Sequence, residues 1–196
     1  EVYALNAFFV ALTIHLLLAW MEEPRWGTLS AAAFLYGLAL GNHLTIFLLA
    51  PTAPLLLLHR RHHLPSGLSS LAAIIVPLLL GLCVYLYLPL RAACHPPINW
   101  GDPHALQGFL WVVSGSLYRC FLFALPVCYL PARLSAWTGL LVRQFGWWGV
   151  LLGLVGWWSL WQRGRELALF SSALFLAHSI YAIGYNTSDS HVYLIP

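Results

Sequence analysis

The feature that most constrains this chain is a set of apolar segments long enough to cross a lipid bilayer. Residues 68–90 and 145–161 approach or reach the ~20 residues that a helix needs to cross a ~30 Å hydrocarbon core. Charged residues make up only 8% of the sequence, whereas a soluble domain carries about 25%. Because so little charge cannot cover a water-facing surface, the sequence predicts an all-α, polytopic transmembrane helical bundle.

Charge and cysteine content exclude other classes of protein. The nine positive residues are all arginines, and most lie at the ends of apolar runs, so a nucleic-acid partner has no support. The four cysteines, Cys83, Cys94, Cys120 and Cys128, form neither a C-x-x-C pair nor a zinc spacing with histidine. We therefore predict no metal and no cofactor. The chain starts at Glu1 rather than Met, so we interpret it as a piece of a longer protein.

The apolar stretches predict an order of spans and an orientation. Spans or membrane-inserted helices are expected at about residues 2–20, 29–41, 44–58, 68–90, 145–161 and 166–184. Arginine-rich breaks at 59–63 and 163–165 orient them, because cytoplasmic loops of membrane proteins collect Lys and Arg. Residues 91–144 then form an external loop, and the active face lies outside the cytoplasm.

The stretch 29–58 has two interpretations, because it is apolar except around Asn42 and His43. Two short helices would place this break on the external side, where irregular backbone needs protein or water around it. One long, kinked span would instead bury the two side chains in the bundle. We favour the two short helices, because Asn42 and His43 then face the same side as the other polar clusters.

The external loop is predicted to contain helices that lie flat at the membrane interface. Asp102 followed by Pro103 has the order of an N-cap and an N1 proline, which predicts a helix start. The helix that follows carries an apolar stripe at Leu106, Phe109, Leu110, Val113 and Leu117. Residues 132–144 are predicted to form a second interfacial helix.

Five ionisable residues near the external side are candidates with two interpretations each. Arg91 and Arg119 are either arginines that extend to the headgroups or planar cations that bind a lipid-linked phosphate. Asp102 is a helix cap or a catalytic group. Glu1 and Asp189 are acidic groups near membrane ends, where ionisable residues are commonly functional, although Glu1 could be an ordinary loop residue.

Several short motifs give the sequence a resemblance to a known family. They are Gly41-Asn42-His43-Leu44-Thr45, Leu88-Pro89-Leu90-Arg91, Pro97-Ile98-Asn99-Trp100-Gly101-Asp102-Pro103, Phe109-Leu110-Trp111 and Tyr118-Arg119. With them the chain resembles a family of bacterial membrane proteins that is itself similar to a vertebrate transmembrane protein O-mannosyltransferase. The resemblance implies the GT-C glycosyltransferase fold and a place in the bacterial inner membrane.

The resemblance also implies an activity and a set of site residues. Such enzymes move a sugar, here mannose-like, from a polyprenyl-phosphate donor to a protein or glycan acceptor on the external face. The acidic residue of the family lies in a first external loop, expected before Glu1, and the candidates within this chain are Glu1, Asp102 and Asp189. The implied substrate-binding residues are Asn42, His43, Arg91, Asn99, Trp100, Tyr118 and Arg119.

Two other functions compete with this one. A transporter or flippase of a lipid-linked or anionic substrate also uses broken helices and intramembrane polar residues. It would place polar residues through the middle of the membrane, whereas this sequence gathers them in one external layer. A structural membrane subunit would leave the segment from Arg91 to Arg119 without a role.

Overall fold

The computed structural model of the chain describes residues 2–64 and 67–187. Within these ranges it is helical and contains no strand, which confirms the predicted all-α class. Four of its described helical segments are long and apolar enough to cross a membrane: Val2–Glu22, Leu71–Ala92, Val127–Arg163 and Arg165–Gly184. The chain is thus built as a membrane-spanning helical protein.

The α-helices have the following bounds in chain order: α1 Val2–Glu22, α2 Trp26–Leu40, α3 Ala53–His59, α4 Leu68–Leu82, α5 Tyr87–Ala92, α6 Leu106–Val113, α7 Leu130–Arg163 and α8 Arg165–Gly184. Short 3-10 helices lie between them at Leu44–Leu49, Arg61–His63, Cys83–Leu86, Ser116–Phe121 and Val127–Tyr129. The stretch 29–58 is thus broken twice, after Leu40 and again before Ala53.

The chain divides into two compact units. Among the described residues, the first contains 2–47 together with Arg60–Cys120, and the second contains Leu48–His59 together with 121–187. In the first unit α2 packs against both α1 and α4. Helix α1 buries a stripe at four- and three-residue spacing, formed by Asn6, Val10, Thr13, Leu17 and Trp20.

Helices α2 and α4 approach each other closely because glycines lie at their crossing. A Cβ atom placed on Gly37 would collide with the carbonyl oxygen of Leu78, and one on Gly81 would collide with that of Phe34. Small residues at a crossing let two backbones touch, which is a common way to pack membrane helices. The crossing therefore fixes the position of the end of α2.

The second unit is formed mainly by α7 and α8, with α3 against α8. The indole Nε1 of Trp157 donates a hydrogen bond of 2.7 Å to the hydroxyl of Ser172. His59 Nε2 lies 3.7 Å from the carboxylate of Glu166. Helix α7 bends at Gly146, whose φ of 67° is outside the helical range, so the predicted segments 132–144 and 145–161 adjoin at this bend.

The predicted helix start at Asp102 is wrong. Helix α6 begins at Leu106 with Ala105 at its N-cap. Gly101 and Asp102 have φ of 68° and 41°, a left-handed turn that cannot lead directly into a helix at Pro103. The apolar stripe also ends early, because Gly115 has φ of 61° and Leu117 belongs to the separate 3-10 helix.

Candidate functional site

The turn that follows α2 is held against the segment Cys83–Leu86. The hydroxyl of Tyr85 donates to the carbonyl oxygen of Leu40 at 2.5 Å. This carbonyl is one of the last four of the helix, which have no partner within the helix itself. A Cβ atom on Gly41 would collide with the side chain of Val84. Glycine is therefore needed where the turn begins.

His43 is connected to α1 through Thr45. The backbone N–H of Thr45 donates to His43 Nδ1 at 3.2 Å, and the Thr45 hydroxyl lies 2.7 Å from the same nitrogen. The amide of Asn6 donates to that hydroxyl at 3.2 Å. Asn6 and Thr45 are buried, and burial also lowers the pKa of His43.

A cleft of about 330 Å³ opens beside this turn. Its polar lining comes from Asn42, His43, Tyr85 and Tyr87. Its apolar lining comes from Leu40, Leu44, Val84, Leu88, Val112 and Val113, with Gly41 at the turn. Mostly apolar walls with a few convergent polar groups are typical of a small-molecule site, and the volume is at the lower end of such sites.

The two candidate arginines are exposed and available. Arg91 lies in the last turn of α5, and Arg119 lies in the 3-10 helix Ser116–Phe121 beside the exposed Tyr118. Among residues 2–64 and 67–187, neither guanidinium has a hydrogen-bond or ion-pair partner. Both charges can therefore be offered to an anionic ligand.

Asn99 and Asp102 form a small exposed turn. The Asn99 amide donates to Asp102 Oδ1 at 2.7 Å, and Trp100 between them has 62% of its surface exposed. The turn rests on α6, because a Cβ atom on Gly108 would collide with the carbonyl oxygen of Asp102. The Asp102 carboxylate is thus positioned by its own loop and is accessible.

The structure gathers only part of the predicted set of site residues. It brings Asn42 and His43 to one cleft, and it pairs Asn99 with Asp102 in another turn. Glu1 and Asp189 lie outside the described residues. Within the described ranges, no group of three His, Cys, Asp or Glu side chains could hold a metal ion.

Three residues of this region were missed by sequence reasoning: Asn6, Thr45 and Tyr85. Asn6 carried a usable signal, since an amide inside an apolar helix must find a partner. The Gly37-x-x-x-Gly41 spacing at the end of α2 also carried a signal, because small residues four apart favour close helix packing. Tyr85 had no comparable signal, because its partner lies 45 residues away in sequence.

A comparison with known families points to the part of the chain that contains this turn. A protein-family model described as the protein O-mannosyl-transferase TMEM260 N-terminal domain matches residues 1–66, about a third of the chain. The chain is similar to that family over this region, which includes Asn6, Asn42, His43 and Thr45. Arg91, Asp102, Tyr118 and Arg119 lie beyond the matched residues. No solved structure matches the chain.

Proposed function

We propose that this chain is part of a membrane glycosyltransferase that moves a mannose-like sugar from a polyprenyl-phosphate donor to a protein or glycan acceptor. The family match over residues 1–66 carries this proposal, because its description names O-mannosyl transfer. It supports a glycosyltransferase-related role and hence a transferase reaction. The four long apolar helices and the membrane-enzyme family support an integral membrane protein. We also propose that the protein has the GT-C fold and lies in the bacterial inner membrane.

The proposed chemistry is an inverting transfer. A carboxylate takes the proton of the acceptor hydroxyl, whose oxygen bonds to the anomeric carbon while the bond from that carbon to the phosphate oxygen breaks. The lipid phosphate leaves with the electron pair, and cations stabilise its charge. Arg91 and Arg119 suit the cationic role because both are exposed and unpaired within the described part of the chain.

Glu1, Asp102 and Asp189 are the candidates within the chain for the general base. Asp102 is accessible, with Oδ1 already accepting a hydrogen bond from Asn99. The roles proposed for Asn99, Trp100 and Tyr118 are contacts to the substrates, and the exposure of all three side chains supports them. Substitution of each carboxylate by its amide, with transfer as the readout, selects among the three.

The proposed external face can be tested with the chain's own cysteines. Cys94 and Cys120 are exposed and lie in the predicted external loop. In a variant that keeps only these two cysteines, a membrane-impermeant maleimide is expected to label intact cells. A single cysteine placed at position 62 should react only after the cells are opened. Reaction of position 62 from outside, with Cys94 and Cys120 silent, would invert the orientation.

The activity is tested with the full-length gene product reconstituted in vesicles. Radiolabelled mannose on a polyprenyl phosphate is supplied, and label in an acceptor is measured beside movement of the lipid across the bilayer. Transfer of label supports the glycosyltransferase. Movement of the intact lipid without transfer would instead establish the flippase alternative. Arg143→Ala is a control, because that exposed guanidinium is already bonded to the Gly139 carbonyl of its own helix.

A further inference from the structure

The apolar span Leu71–Ala92 is interrupted at two places. Pro77 lies inside α4 and has no backbone N–H, so the carbonyl oxygen of Ala73, four residues earlier, lacks its usual donor. Further along, the segment Cys83–Leu86 winds as a 3-10 helix. A 3-10 stretch inside a long helix commonly marks a hinge. The span therefore divides into an inner part before this segment and an outer part, residues 83–92, which we call the arm.

Helix α2 supplies the donor that the proline lacks. The hydroxyl of Ser30 donates to the carbonyl oxygen of Ala73 at 2.6 Å. Proline is tolerated inside membrane helices where a neighbouring helix or a Ser or Thr side chain satisfies the carbonyl that it leaves free. The hydrogen bond from Ser30 therefore holds the inner part of the span to α2 at the level of the proline.

A second hydrogen bond joins α2 and the span in the opposite direction. The hydroxyl of Tyr85, in the arm, donates to the carbonyl oxygen of Leu40 at the end of α2. Each helix thus gives a side-chain donor to a carbonyl that the other helix leaves without one. The crossing at Gly37 and Gly81, where the two backbones touch, lies between these two hydrogen bonds in the sequence of both helices.

The arm is attached to α2 differently from the inner part. In the inner part backbone meets backbone, because a Cβ atom on Gly81 would collide with the carbonyl oxygen of Phe34. In the arm the hydrogen bond comes from the side chain of Tyr85, and within residues 83–92 Ala92 alone is buried. Segments with few buried residues open locally at a low free energy. The arm can therefore move while α2 and the inner part stay packed.

The arm also forms a wall of the cleft beside the turn after α2. Val84, Tyr85, Tyr87 and Leu88 line this cleft, and Arg91 lies in the last turn of α5, at the end of the arm. We propose that the arm is a gate for the cleft, with the hydrogen bond from Tyr85 to α2 as its latch. Release of the latch bends the span at its 3-10 segment, widens the cleft and displaces Arg91.

The latch is tested by hydrogen exchange in detergent, followed by mass spectrometry and without substrate, so the result does not depend on the proposed reaction. Tyr85→Phe removes the hydroxyl and keeps the ring. Amides of residues 86–92 should exchange roughly 2- to 10-fold faster, as expected for the loss of one hydrogen bond. Amides of residues 74–82 should keep their native rates. Tyr87→Phe is the matched control, because Tyr87 is an exposed tyrosine of the same arm.

Three outcomes would overturn the latch. They are native exchange rates in the arm of Tyr85→Phe, equal acceleration in the arm and the inner part, and an equal effect of Tyr87→Phe.

The movement of the arm is tested with spin labels on exposed residues. One label is placed at Phe8 on α1, and the second at Leu90 in the arm or at Leu79 in the inner part. Tyr85→Phe should broaden the distribution of distances between 8 and 90 and leave that between 8 and 79 unchanged. An unchanged distribution for both pairs, or equal broadening of both, would overturn the gate.

The role of Ser30 is tested by combining Ser30→Ala with Pro77→Ala. In the native background Ser30→Ala should speed exchange at residues 74–82 roughly 2- to 10-fold, and Ser30→Thr should keep the native rates. With Pro77→Ala, the new backbone N–H can donate to the Ala73 carbonyl, so Ser30→Ala should have no further effect. Equal acceleration in both backgrounds would show that Ser30 does not compensate for the proline, and the inner part would lose its role as the fixed base of the gate.

Discussion

Two polar segments of the first unit differ in how they use their side chains. In the turn after α2, His43 and Thr45 are tied to the buried Asn6 of another helix. In the loop near α6, the Asn99 amide donates to Asp102, and both side chains are exposed. The difference follows from the surroundings, because a buried polar group without a partner is costly and an exposed one has water.

This contrast predicts two kinds of mutational effect. Changes at the turn should lower stability, since the hydrogen bond between Asn6 and Thr45 is buried. Changes at Arg91 or Asp102 should alter ligand handling and leave the fold intact, because these side chains are exposed.

Gly81→Ala should be the most damaging of the single changes. Its Cβ would meet the Phe34 carbonyl oxygen and the Leu38 nitrogen, both backbone atoms that cannot move aside alone. We expect a loss of about 3 kcal/mol in the free energy of unfolding, the upper end of overpacking costs. Thermal unfolding in detergent measures this effect.

Gly153→Ala is the matched control for this change. Gly153 lies within α7, and a Cβ atom there would meet nothing within 4 Å. Since both changes gain about the same helix propensity, the difference between them isolates the α2–α4 contact. Equal melting temperatures for the two variants would show that the glycine crossing does not hold the first unit together.

Arg91→Ala and Arg119→Ala should weaken binding without loosening the fold. A charge-assisted contact to a phosphate contributes about 1.5 to 3 kcal/mol. The affinity for farnesyl phosphate, a short polyprenyl phosphate, should therefore fall at least tenfold for each arginine that touches it. Stability should change by less than about 0.5 kcal/mol, as is usual for surface sites. Lysine should rescue only partly, because an ammonium lacks the bidentate fork. Unchanged affinity would support the other interpretation, in which both arginines only extend to the lipid headgroups.

The helical class was predictable because it depends on composition alone. Apolar runs with so little charge are not soluble in water. Inside a membrane, a helix pairs the backbone N–H and C=O groups of such a run with one another. The break at Asn42 was also visible, since polar residues interrupt an apolar run there. The predicted helix start at Asp102 failed because the local rule for caps does not include the left-handed turn at Gly101.

The site was less predictable than the fold because its contacts join distant residues. Asn6 and Thr45 are 39 positions apart in sequence, and no local pattern connects them. Arg91 and Asp102 were recognisable by residue type, and the structure leaves both accessible. Sequence reasoning therefore found the exposed polar groups and missed the buried ones that position His43.

Thr45→Val should have an intermediate effect. The change keeps the shape of the side chain and removes the hydroxyl, which leaves the buried Asn6 amide without its acceptor. We expect a loss of about 2 kcal/mol, within the range for an unsatisfied buried group. Thr138→Val is the control, because that exposed hydroxyl donates to the Leu134 carbonyl of its own helix. A smaller loss for Thr45→Val than for Thr138→Val would contradict a stabilising role for the hydrogen bond between Asn6 and Thr45.

Asn99→Ala should have the smallest effect. Its hydrogen bond to Asp102 is short, at 2.7 Å, but both side chains are exposed and water replaces the lost contact. We expect a loss of no more than about 0.5 kcal/mol, in line with exposed charge-assisted pairs. A double-mutant cycle with Asp102→Ala gives the coupling directly from four unfolding curves. A coupling above about 1 kcal/mol would mean that this loop is connected as tightly as the turn at His43, and the contrast between the two segments would fail.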